Sequence, residues 1–296
     1  MRDERRRTQK SSTLWGRAAW LVVFIALTTA GSTIAQDRSR EKATRIAQQI
    51  KRADYEGDRA ALKTRYEELA TFQDNKEYGA PLHYWRGFAL WRRAINGFND
   101  KVDPAELQED LKQAINEFEN AVKVDNGFVD AKIGLLSCQG FLAYSVRQQN
   151  PADPQIQNLL VSIWPLWKDT AAAAPDNPRL LWVIGPMVWN IPPERGGGQE
   201  KAIEGYKKGL ETIRNSRTIS NDPLQPSWGE PELLMSLAWS NLNRATPDLD
   251  AAEQDARSAL KQVPYWHYVR DILMPQIAEA KRRKEQKDAK HPAVSE

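Results

Sequence analysis

Apolar residues return along this chain at helical spacing. Ile46 and Ile50, then Leu62, Tyr66 and Leu69, mark one face each of two helices parted at Gly57. Tyr84, Phe88, Trp91 and Ile95 follow at intervals of four, three and four, which is one helical face. "NGFNDKVDPAEL" then reads as a loop, with Asp103 as N-cap and Pro104 as the first residue of the next helix. That helix carries Ala114, Phe118 and Ala121, and the same spacing of four and three returns at Ala202, Tyr206 and Gly209 and at Ala252, Ala256 and Ala259. Small residues flanking a filler on one face let a second helix approach closely, as in stacked helical hairpins. Asn126 and Pro264 stand where the first and third of these helices should stop.

The triplets resemble the second helix of the tetratricopeptide repeat (TPR). Gly87, Gly185 and Ala238 fall where that family's first helix places its small residue, Gly185 after Ile184 and Ala238 after Leu237. A fourth unit fits "FVDAKIGLLSCQGFLAYS", a loop at "QQNPADPQ", and "NLLVSIWPLWKDTAAAAPDNP". The separations from Gly87 to Ala114 and from Gly185 to Ala202 exceed the family's, which predicts lengthened turns and an irregular array. "NPRLLWVIGPMVWNIPPERGGGQEKAI" is similar to helical-repeat proteins exported by Gram-negative bacteria. Its Gly-Gly turn also resembles the periplasmic subunits that accompany TRAP-type solute transporters. The expected class is all-α: an α-solenoid of antiparallel hairpins with irregular TPR-like repeats over 80–277, after a helical segment over 36–79 and before a charged tail over 278–296.

Charge and leader change the picture next. The 296 residues include 42 basic and 39 acidic ones, but the first 35 hold six basic against two acidic, so the remainder is one unit negative. The pI of 8.8 therefore belongs to the leader, and no basic field for nucleic acid survives beyond it. Residues 1–35 read as a signal peptide: a basic start, the apolar run Ala18 to Ala30, then Thr33 and Ala35 before a cut. That run is shorter than the roughly 20 residues a transmembrane helix needs. A periplasmic or secreted product without stable membrane insertion is expected, with an N-terminally anchored form as the alternative. Cys138, the sole cysteine, excludes a disulfide framework.

Candidate chemistry is sparse. "RGGGQEK" lacks the Ser or Thr and the preceding strand of a phosphate loop, since Lys201 is followed by Ala202; it reads as a joint, with Arg195, Gly196, Gly197 and Gly198 as a possible anion contact. His83, His267 and His291 have no partner at a zinc-motif spacing, and no nucleophile motif occurs, so neither a cofactor nor a metal is expected. Tryptophan is abundant, with 11 residues. The TPR resemblance implies that first helices line a concave groove, which assigns Tyr84, Phe88, Trp91, Arg92, Trp182, Trp189, Asn190, Trp239 and Asn243 to partner binding. The expected function is a non-catalytic scaffold for a protein or peptide partner. The alternatives are a small-solute or carbohydrate-binding accessory subunit of the TRAP-associated type and a hydrolase or transferase with a cryptic carboxylate pair.

Overall fold

The computed structural model describes residues 38–72, 77–215 and 222–290. The signal peptide expected over 1–35 lies outside them, as does His291. The chain forms two compact units, Met1–Arg45 and Ile46–Glu296. Of the first, only 38–45 are described, as the start of a helix. The second is an all-α solenoid, and no strand occurs among the described residues.

Local chemistry sets the helix limits. α1 covers 38–56 and ends at Gly57, whose φ of 72° is a conformation glycine adopts without strain. Asp58 caps α2 (Arg59–Leu69) by accepting from Ala61 N. After α3 (Gly79–Asn99), one device opens three helices: an Asp or Asn cap followed by proline, whose missing N–H is no loss there. It starts α4 (Pro104–Val124) at Asp103, α6 (Pro154–Ala173) at Asp153 and α7 (Pro178–Asn190) at Asn177, while α5 (Val129–Gln149) lies between. Then come α8 (Gln199–Asn215), α9 (Glu230–Asn243) and α10 (Leu249–Gln262). A wide π turn, Tyr268–Leu273, leads into α11 (Met274–Lys290). The tail expected from 278 is thus helical as far as Lys290.

Sequential helices pack as hairpins: α3 with α4, α5 with α6, α7 with α8, α9 with α10. The first arms also touch one another in series, α3 to α5 to α7 to α9, which makes the hairpins a stacked array. The small-filler-small pattern is the contact that spaces them. Phe118 is fully buried between two glycines: a Cβ on Gly87 would come 3.0 Å from its ring, and one on Gly134 only 2.4 Å. Tyr206 lies against Gly185 in the same way, at 2.2 Å from a hypothetical Cβ. Ala114, Ala121, Ala252, Ala256 and Ala259 are all at 0% exposure, so helix backbones meet there without intervening side chains. One expectation is corrected. The long interval from Gly87 to Ala114 is taken up by longer helices, and the turn between α3 and α4 is only residues 100–103.

Phe118→Ala should remove the filler shared by α3, α4 and α5 and cost about 3–5 kcal/mol, read as a lowered urea midpoint with an unchanged slope. A loss below about 1 kcal/mol would mean the ring does not hold the hairpins in register.

Candidate partner-binding face

The face of the first helices is largely filled from within. Residues 46–56 of α1 lie against it, and so does the irregular segment from Asp222 to Gly229. Leu224 and Trp228 of that segment are buried at 0% and 5% exposure. Trp85 Nε1 donates to Leu224 O at 2.7 Å, and Trp228 Nε1 donates to Tyr84 Oη at 2.7 Å. Arg179 of α7 donates to Trp228 O at 3.1 Å while pairing with Asp130 of α5. Lys51 of α1 donates to Ser227 O and Oγ, both at 3.1 Å. Trp228 stands among Phe88, Trp91 and Trp182, with ring centroids 5.6, 5.8 and 5.4 Å away.

Beside these rings is a buried ionic junction. Arg92 of α3 donates through Nε to Asp54 Oδ2 of α1 at 2.8 Å, and Asn96 donates to Asp54 Oδ1 at 3.1 Å. Tyr55 of α1 donates to Glu232 Oε1 of α9 at 2.7 Å, and Gly229 N donates to Glu232 Oε2 at 2.9 Å. Burial raises the Glu232 carboxyl above the usual carboxylate range, although Arg92 and the Tyr55 hydroxyl oppose it. Burial also lowers Lys51, with Glu232 acting against the shift. Burial works against the Arg92 charge, but the attraction and hydrogen bond of Asp54, joined by Glu232 and Tyr55, together outweigh it and hold the guanidinium above its ordinary value.

These contacts correct four of the groove assignments. Tyr84, Phe88, Trp91 and Arg92 are 0%, 1%, 0% and 4% exposed, so they are core and junction residues in place of an open lining. α1 and the segment carrying Trp228 cover them. The other assigned residues remain at or near solvent. Trp182 is partly buried, and its Nε1 donates to Ser236 Oγ at 3.0 Å. Trp189 of α7 and Trp239 of α9 meet edge to face with centroids 5.3 Å apart, and Trp239 keeps 37% of its surface exposed. Asn190 and Asn243, both exposed, donate to Pro186 O and Trp239 O of their own helices at 2.8 Å. A cleft of about 970 Å3 adjoins this end of α9, with Leu242, Asn243, Pro247, Pro275, Arg283 and Lys284 among its lining residues. Sequence reasoning missed a further aromatic group, Phe98 of α3 with Phe141 and Tyr144 of α5, the rings 5.8 and 6.4 Å from Phe98. Tyr144 is 55% exposed, and the signal was present in an aromatic pair at helical spacing.

The glycine turn is a joint. Gly196, Gly197 and Gly198 spend their amides on Pro193 O, Pro192 O and Val188 O at 2.9, 3.3 and 2.8 Å. The anion contact assigned to Gly196, Gly197 and Gly198 is corrected accordingly, because no glycine amide is left to cradle an oxygen, and Arg195 likewise spends its own amide on Pro192 O at 2.9 Å. Gly197 is also required sterically, since a Cβ there would meet Ile191 O at 2.5 Å. The start of α8 is tied to the turn after α9 by Arg244 with Glu200 and by Ala245 N with Gln199 Oε1.

Both described histidines sit in structural pairs. His83 Nδ1 is 2.7 Å from Glu117 Oε2, and Arg86 pairs with the other oxygen at 2.6 Å. Burial pushes Glu117 up, but hydrogen bonds from His83 and Arg86 outweigh it and hold the carboxyl below its ordinary value. His267 bonds Asp271 at 2.9 Å. Among the described residues no group of three or more His, Cys, Asp or Glu is placed to hold a metal ion, and none of their helices is long and apolar enough to cross a membrane.

No family model matches the sequence, and no curated protein matches it. Among solved structures, the HusA haemophore from Porphyromonas gingivalis is similar in fold at 17% identity and a TM-score of 0.50, over 69% of this chain and 95% of that one. A thermophilic TPR protein of Thermus thermophilus aligns at 17% identity and a TM-score of 0.47, over 81% of this chain and 98% of that one.

The split between core and surface tryptophans is measurable. Trp91→Ala should cost about 3–5 kcal/mol, whereas Trp239→Ala should cost no more than about 1 kcal/mol in urea unfolding. Equal losses would contradict the separation.

Proposed function

We propose that this chain is an exported, non-catalytic helical-repeat scaffold that binds a protein or extended peptide across the exposed edge where α7 and α9 end. Trp189 and Trp239 supply the apolar area, and Asn190 and Asn243 flank them with amides. Tyr84, Phe88, Trp91 and Arg92 act from behind, by fixing the helices that carry these groups. The reading rests on one observation above all: Trp239 is held edge to face on Trp189 yet remains 37% exposed. Large, rigid aromatic groups beside polar tips are what protein interfaces use as anchors, because little side-chain entropy is lost on contact. The export part of the proposal rests on the basic and apolar leader in the sequence.

A small solute is the second reading. It is favoured by the cleft of about 970 Å3 beside α9, a size suited to one ligand. The haemophore that shares the fold makes haem a reasonable probe.

Affinity capture from an envelope extract of the source organism separates the two, with wild type, Trp189→Ala and Trp239→Ala used in parallel. Docking predicts one stoichiometric protein that is lost with either variant while helical circular dichroism is unchanged. No captured protein, together with saturable quenching of tryptophan fluorescence by haem or an oligosaccharide, would replace docking with solute binding.

A further inference from the structure

The cleft beside α9 is chemically polarised along α11. Leu242 of α9, Pro247 and Leu249 of the turn into α10, and Pro275 and Ala280 of α11 give it apolar lining. On α11 the lining then changes, and Arg283, Lys284 and Lys287 follow over the next two turns. Pro275 to Lys287 spans roughly 18 Å of helix. Glu279 is the single carboxylate of this lining, and Arg282 and Arg283 both pair with it. Arg283 gives it Nε at 2.8 Å, while 77% of the Arg283 side chain stays exposed.

The neighbouring cations are differently placed. Lys281 is held by Asp250 and Glu253 at 2.6 and 2.5 Å. Lys284 also borders a second groove with Asp248, Asp250, Glu285 and Asp288, and its charge acts on Asp250. Lys287 lines the cleft alone, and the residues one turn before it, Arg283 and Lys284, are both cations. Neither lysine has an ion pair among the described residues. Like charges at this helical spacing repel, and an anion between them relieves the repulsion.

We propose that this cleft takes a single-chain amphiphile with an anionic head, of which a fatty acid is the simplest form. The hydrocarbon lies against Leu242, Leu249 and Pro275, and the carboxylate sits between Arg283 and Lys287. This assignment rests on the small-solute reading of the cleft and narrows it to one chemical class. A mostly apolar lining with a few charged groups gathered at one end fits a ligand built the same way. Arg283 can offer its terminal amino groups to a carboxylate as a planar fork, and Lys287 adds a point charge. A neutral sugar would leave these cations unanswered.

Calorimetric titration of the purified protein with dodecanoate, kept below its micellar concentration, tests the assignment. One dodecanoate should bind per chain, and hexanoate, with half the chain, should bind about a hundredfold more weakly or worse. Dodecyltrimethylammonium should not bind. Arg283→Glu combined with Lys287→Glu should weaken dodecanoate by about tenfold or more, with unchanged circular dichroism because both side chains are exposed. Leu249→Asp should weaken it too, in a first helical turn where an acidic residue is tolerated. Equal affinity for the cationic amphiphile, indifference to the double charge reversal, or no dodecanoate binding would overturn the class. Should a neutral oligosaccharide then bind and be lost with Leu249→Asp, the small-solute reading survives without this class; should neither ligand bind, both fall. Binding to phosphatidylglycerol vesicles without binding of monomeric dodecanoate would assign the cations to a membrane surface and overturn the proposal equally.

Discussion

Asp54, Arg92 and Glu232 are withdrawn from water at one junction of α1, α3 and α9, at 1%, 4% and 1% exposure. Ions in such a place are tolerable only while every partner is present, since breaking a buried pair leaves a charge that neither solvent nor protein compensates. Arg92 needs Asp54, Glu232 needs the Tyr55 hydroxyl and the Gly229 amide, and Asp54 also takes the Asn96 amide. Each bond between helices joins elements far apart in sequence. α1 is thereby fixed to the first and last hairpins of the array at once, and the segment ending at Gly229 is fixed with it.

The aromatic packing follows from that constraint. With α1 and Gly229 placed, Trp228 packs among Phe88, Trp91 and Trp182. Residues that an open array would present to a ligand are then consumed in holding the array together. Exposed aromatic surface is left at the ends of α7 and α9, at Trp239, and on the outer side of α6, at Trp164. Surface and core thus divide the tryptophans by position along the helices, with no change in residue type.

Sequence reading reached what is local. The triplets Ala114, Phe118, Ala121 and Ala202, Tyr206, Gly209 encode helix contacts within a period of seven, and the caps at Asp103 and Gly57 act within one turn, so hairpins and breaks were legible. The filled face was not. Trp85 and Leu224 are 139 residues apart, Tyr84 and Trp228 are 144 apart, and Tyr55 and Glu232 are 177 apart. No periodicity announces such pairs. Assigning groove positions from TPR resemblance assumed that the first helices face solvent, which holds for Trp239 and Asn243 and fails for Tyr84, Phe88, Trp91 and Arg92. The separation of Gly87 and Ala114 misled for a related reason: added residues extend a helix or a turn equally well in sequence, and packing decided for the helix.

The central claim is that α1 and the Trp228 segment are integral to the fold and do not merely rest on its face. Native-state hydrogen exchange addresses it directly, because opening free energies report which elements unfold together. The amides of residues 46–56, with those of Leu224, Gln225 and Gly229, should open within about 1 kcal/mol of the amides of α3. Rapid exchange in these two segments while α3 stays protected would contradict the account and would return the first-helix face to solvent.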